Sequence, residues 1–153
     1  MTFRKILLTL TGAMMMALSS AHAQEGIISV DSPHSVAVTM DKLQAALESK
    51  GMTIFERVDH AQGAANADLE LRPTQVLIFG NPKVGTPLMQ CSQSIAIDLP
   101  QKMLAWEDVG GGVHLGWNDP AYLKSRHGTT DCDAVFEKIS NVLGKFAKAA
   151  TAQ

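Results

Sequence analysis

Thr74-Gln75-Val76-Leu77-Ile78-Phe79, followed at once by Gly80-Asn81-Pro82, is a short apolar run that stops in a sharp turn. Four consecutive apolar residues, mostly β-branched or aromatic, suit a strand better than a helix, and the run predicts a central strand buried on both faces. The turn after it carries the residues that reverse or redirect a chain. Past the turn, Pro87 predicts the first turn of a helix running to Gln93, since proline is tolerated where the N–H has no partner anyway.

Upstream, Arg72-Pro73 breaks the chain. Before it, Asp59 to Asp68 is rich in alanine and reads as a short helix leaving a strand over Met52 to Val58. Val36, Met40, Leu43 and Leu47 recur at helical spacing, with Ser35 as a cap and Gly51 as the left-handed stop. Ile27, Ile28 and Val30 predict an edge strand ending at Pro33. Downstream, Leu99-Pro100 separates the predicted helix from a strand over Lys102 to Asp108. Gly110-Gly111-Gly112 turns that strand into Val113 to Trp117 as a hairpin. Asn118-Asp119-Pro120 starts a short helix ended by Gly128. The last helix has the strongest pattern: Val135, Phe136, Ile139, Val142, Leu143 and Phe146 form one stripe, with Thr130 as the expected cap. The alternation of strands and helices without repeats or linkers predicts one α+β domain.

The N-terminus has a different character. Arg4 and Lys5 precede an apolar run from Ile6 to Leu18, and Ala21-His22-Ala23 places small residues at the positions a signal peptidase reads. The run is shorter than the roughly 20 residues needed to cross a bilayer. We read residues 1–23 as a cleaved signal peptide and residues 24–153 as a single domain, exported and most simply periplasmic. Removing residues 1–23 takes two basic residues and no acid from 13 basic and 15 acidic ones, leaving a net charge of −4. That balance argues against nucleic acid and anionic membrane surfaces as partners. Two cysteines remain, Cys91 and Cys132, and export favours a disulfide between them over buried free thiols or one reactive thiol.

Three stretches carry a family resemblance. They are Asp59-His60-Ala61, the long segment from Leu71 to Met89 (LRPTQVLIFGNPKVGTPLM), and Trp117-Asn118-Asp119-Pro120-Ala121-Tyr122 with Arg126-His127-Gly128. Leu99-Pro100 and Trp106-Glu107-Asp108 extend them. In these stretches the chain resembles the bacterial family called domain of unknown function 302. The resemblance implies a two-layer α+β fold, an antiparallel sheet with helices packed on one face, in a TATA-binding-protein-like arrangement. It also implies a homodimer. It carries no DNA-binding role and supplies no accepted catalytic residues. Cys91 and Cys132 are not features of the resemblance.

Chemistry is sparsely signalled. Gly80 to Thr86 is the best candidate, because a glycine-containing turn before a helix can offer backbone N–H groups to an anion. The Gly80-to-Gly85 spacing lacks the lysine before Thr86 that a phosphate loop needs, and Pro82 removes a donor, so nucleotide triphosphatase chemistry is excluded. A tight turn needing Gly and Pro for shape alone is the competing reading. The candidate ligand residues are His60, Asn81, Lys83, Gly85, Thr86, Glu107, Tyr122 and His127. His60 follows Asp59 at a strand end and His127 precedes a glycine at a helix end, and for each a structural role as cap or core hydrogen-bonder is the commoner use. No histidine spacing marks a zinc site, no methionine run marks copper, and the sequence indicates no cofactor. The expectation is a binding domain for a small anionic or amphipathic ligand. The alternatives are an enzyme using His60 or His127 as general acid or base with Glu107 or Asp108, and a weak metal or haem binder.

Overall fold

The computed structural model describes residues 25–153. The predicted signal peptide lies outside the described residues. Five strands, β1 (Ile27–Ser32), β2 (Thr53–Asp59), β3 (Thr74–Gly80), β4 (Gln101–Glu107) and β5 (Val113–Asn118), form one antiparallel sheet in the order β1-β5-β4-β3-β2. The helices are α1 (Val36–Glu48), α2 (His60–Ala65), α3 (Pro82–Cys91), α4 (Pro120–Arg126) and α5 (Asp133–Ala150), with a 3₁₀ helix over Gln93–Asp98. This is the expected two-layer α+β fold with an antiparallel sheet. Among the described residues no helix is long and apolar enough to cross a membrane.

The period of each element fixes what it buries. Leu77 and Phe79 of β3, Met103 and Ala105 of β4, and Leu115 and Trp117 of β5 alternate onto one face and are buried there. Met40, Leu43 and Leu47 of α1, together with Phe136, Ile139, Leu143 and Phe146 of α5, cover that face. The Phe79 and Phe146 rings meet edge to face at 6.4 Å.

The apolar run of β3 is therefore buried fully on one face only. Val76 and Ile78 point to the other face, stay half-buried, and sit beside Leu104, Lys102 and Val58 in register. The strand lies second from the sheet edge, with β4 at the centre. Its continuous hydrophobicity reflects two faces of different environment, not two helix layers.

Two local expectations are corrected, at the starts of α3 and α5. The helix expected from Pro87 begins at Pro82, because the Asn81 side chain accepts the Lys83 N–H and caps it. Pro87 then stands inside the helix, where it leaves one carbonyl without its usual donor. Between α3 and Leu99-Pro100, where the sequence assigns no element, lies the 3₁₀ helix. Cys132, not Thr130, precedes the first turn of α5, and no side chain caps it. Asp131 adopts a left-handed φ of 62° there, and the Thr130 hydroxyl turns to the Asp131 carboxylate instead.

A disulfide joins Cys91, at the end of α3, to Cys132, at the entry to α5, with Cα atoms 6.3 Å apart. It closes a loop of 41 residues that contains the 3₁₀ helix, β4, β5 and α4. Reducing it, or making Cys91→Ser with Cys132→Ser, is expected to lower unfolding stability by about 4 kcal/mol, the chain-entropy value for such a loop. Urea titration with and without reductant measures this; coincident curves would show that the bond constrains nothing.

Candidate functional site

Gly80 ends β3, and α3 follows it, packed against the 3₁₀ helix and α5. Between α3, the 3₁₀ helix, the Leu99-Pro100-Gln101 connection and β2 lies an open cleft of about 290 Å³. Its wall is almost wholly apolar, with Met52, Phe55, Val84, Leu88, Met89, Leu99 and Ile139 prominent; Asn81, Thr86 and Gln101 are its polar members. Such a surface suits the hydrocarbon part of a small molecule.

Phe55 owes its place to a bulge. The β2–β3 register shifts between Ile54 and Glu56, so Phe55 has no partner across the ladder. It remains 55% exposed, and its ring lies against Gly80, where an added Cβ would come within 3.2 Å of Phe55 Cε2. Gly85 lines the cleft without being needed for backbone shape, since a Cβ there would meet only Leu99 Cδ1, at 3.9 Å.

The turn does not offer the backbone anion cradle that its composition suggests. Asn81 Oδ1 accepts the Lys83 N–H at 2.9 Å, and the Asn81 carbonyl accepts the N–H groups of Val84 and Gly85 at 2.8 and 2.9 Å. Pro82 has none to give. The Asn81 side-chain amide donates back to the Gly51 carbonyl at 3.2 Å, tying the turn to the end of the α1–β2 loop.

The other predicted residues do not gather into this cleft. His60 opens α2 at the far end of β2: Thr53 pairs with Gly80 and Asp59 with Gln75, which separates His60 from the turn by about 20 Å of strand. Glu107 lies at that far end, lining a separate hollow with Asp59, Ala61 and Gln62. Tyr122, on α4, lays its ring on Gly26, where a Cβ would sit 2.8 Å from Tyr122 Cγ.

His127 is placed nearer. It follows α4, and its side chain is only 6% exposed. Its Nε2 pairs with Asp98 Oδ2 at 2.6 Å, and its Nδ1 with Ser94 Oγ at 2.9 Å. Arg126 donates to the second Asp98 oxygen at 2.9 Å. The 3₁₀ helix thus presents Ala96 to the cleft while Ser94 and Asp98 hold His127. The arrangement can pass a proton between serine and histidine, and it also pins the end of α4 to the 3₁₀ helix. Asp98, rather than Glu107 or Asp108, is the carboxylate partner of His127, and sequence order gave no signal of it. Among the described residues no cluster of three or more His, Cys, Asp or Glu side chains could hold a metal ion.

A second polar cluster, also unsignalled, stands at the β4–β5 hairpin. His114 pairs through Nε2 with Asp108 at 2.8 Å and through Nδ1 with Asp31 at 2.9 Å, and its ring packs on Trp106 with centroids 5.2 Å apart. Asp108 Oδ1 also accepts the Gly110 and Gly112 N–H groups, each at 2.8 Å. The hydrogen bond to Asp108 raises the His114 pKa above its ordinary value, with Asp31 adding to it against a desolvation penalty. The hydrogen bond from His114, then those from the glycine N–H groups, hold Asp108 below the usual carboxylate range.

Residues 28–146 match the family described as "Domain of unknown function DUF302". The chain belongs to this family. A crystal structure of an uncharacterized conserved DUF302 protein from Bacillus stearothermophilus superposes with a TM-score of 0.67 at 18% identity, over 84% of this chain and 97% of that one. At that identity the likeness concerns the fold alone. Among curated proteins, "Fluoride-specific ion channel FluC 1" of Brucella suis biovar 1 is 52% identical over 102 residues, 67% of this chain and 40% of that protein. "Fluoride-specific ion channel FluC 2" of Brucella melitensis biotype 1 is 52% identical over 102 residues, 38% of its length. The chain thus spans about two fifths of the length of the curated relatives it matches.

The hairpin cluster makes a pH prediction. The raised His114 pKa contributes stability that is complete below about 6.5, the unfolded value, and fades as pH climbs through the higher folded value. The lowered Asp108 pKa contributes stability that is present above its unfolded value and fades as pH falls through the folded one. Thermal midpoints are expected to fall on both sides of this window. Asp108→Asn should flatten the alkaline limb, read by scanning calorimetry from pH 5 to 9; an unchanged limb would show that the pair is not formed.

Proposed function

We propose that this DUF302 domain is an exported binding protein for a small molecule with a substantial apolar part, held in the cleft between α3, the 3₁₀ helix and β2. The observation that carries the reading is the cleft itself: about 290 Å³, open to the surface, with apolar walls on elements tied down by the disulfide. An apolar hollow of this size at the surface is costly to leave facing water and is stabilised by an apolar occupant. Export is supported by the signal-peptide pattern of residues 1–23 and by the disulfide.

Fluoride is the named ion of the Brucella channel proteins as wholes. The cleft has few hydrogen-bond donors, and the turn's N–H groups already have partners, so it is poorly suited to a small, strongly hydrated anion. We assign fluoride handling to the part of those proteins outside the match. The enzyme reading draws support from the Ser94–His127–Asp98 chain, but the cleft wall includes neither Ser94 nor His127. A binding role therefore accounts for more of the surface.

Octan-1-ol, a neutral apolar probe, tests the cleft. Periplasmic material from an expressing bacterium should begin at Gln24 and bind octan-1-ol by NMR titration, with shifts confined to the cleft wall. Gly85→Leu, which projects into the cleft, should weaken binding at least tenfold. Gly85→Ala should bind nearly as the parent and gain about 0.5–1 kcal/mol of stability from helix propensity. Equal affinity in all three proteins would remove the cleft from consideration.

We further propose that the helix-free sheet face pairs two copies of the chain. Val58, Val76, Ile78, Leu104 and Trp106 give it an apolar centre that nothing in one subunit's helix layer covers. Light scattering should report a dimer that Trp106→Glu dissociates; a monomer at high micromolar concentration would exclude the pairing.

A further inference from the structure

The cleft is not the only hollow beside α3. On the other side of the helix, between it and α5, is a second depression of about 270 Å³. Lys83, Val84 and Pro87 of α3 and Val135, Lys138 and Ile139 of α5 line it. Val84 and Ile139 line the apolar cleft as well, so the two hollows share a wall.

Lys83 and Lys138 are both exposed, and among the described residues neither is paired with a carboxylate. No acidic residue lines this depression. Asp133, five residues before Lys138 on α5, is already engaged by Lys124 of α4. Glu137 falls on another side of α5 by helical period. Two unpaired ammonium groups therefore flank one hollow that adjoins an apolar one. The backbone at the start of α3 cannot supply anion recognition in their place, since Asn81 holds the Lys83, Val84 and Gly85 N–H groups.

Resting on the cleft being a binding site, we propose that its ligand is an amphiphilic monocarboxylate. The hydrocarbon chain lies in the cleft and the carboxylate reaches past Val84 to Lys83 and Lys138. The hydrophobic term sets affinity: each methylene added in the cleft tightens binding about fourfold, from about 0.8 kcal/mol per buried CH₂. The lysines set the choice of head group. Exposed charge pairs are individually weak, so two of them favour a carboxylate over a neutral head by about three- to tenfold, and added salt erodes that preference.

Calorimetric titration of the purified chain with octan-1-ol, octanoate and octylammonium at pH 7 tests this. The expected order of affinity is octanoate, octan-1-ol, octylammonium. Lys83→Gln with Lys138→Gln should bring octanoate down to the level of octan-1-ol while leaving octan-1-ol unchanged. Octan-1-ol binding without a preference for octanoate, or a preference that survives the double substitution, would overturn the head-group assignment and leave the cleft reading standing. Failure of all three probes to bind would overturn both.

Discussion

The described residues are arranged around a sheet that, among them, has helices on one side only. Leu77, Phe79, Met103 and Leu115 need a cover, and α1 and α5 supply it, with Phe146 against Phe79 at the centre. Two helices side by side span the middle of a five-stranded twisted sheet but not its margin. At the β2–β3 edge the cover is completed by α3 and the 3₁₀ helix, which contribute Leu88 and Ile95 to the core. The cleft lies where this lighter cover leaves a gap.

The gap is held open by local constraints that reinforce one another. The bulge at Phe55 puts an aromatic ring outside the ladder and over Gly80. Asn81 fixes the start of α3 to the Gly51 carbonyl, and the disulfide fixes its end to α5. On the far side, Asp98 draws in both His127 and Arg126, so the 3₁₀ helix is anchored to α4. Each wall is thus tied to a different part of the framework, which keeps the walls from collapsing together despite their apolar character.

The polar residues illustrate how sequence and site diverge. His60, Glu107 and His127 looked equivalent as isolated candidates, yet two lie at the opposite end of the strands from the cleft and the third is buried against Asp98. The turn from Gly80 to Thr86 was legible as a special segment, because glycine, asparagine and proline at that spacing have few other uses. Its role was not legible, because whether its N–H groups are free depends on the cap geometry. Met52, Phe55, Met89 and Leu99, the apolar walls, carry no signal at all in sequence: a cleft-lining hydrophobe and a core hydrophobe are the same residue.

Most elements are legible in local sequence, since periodicity, caps and breakers act over a few residues: the α5 stripe, the Ser35 cap, the Gly110–Gly112 hairpin and the strand ending at Gly80 are all local facts. The motifs of residues 59–61, 71–89 and 117–128 also identified the family and hence the α+β architecture. Tertiary packing alone fixed that β3 is fully covered on one face and that His114 meets Asp31 and Asp108. It alone brought Lys83 and Lys138 to one hollow. Those outcomes rest on contacts between residues distant in the chain, and a contact of that kind is fixed by packing, which no short window of sequence contains.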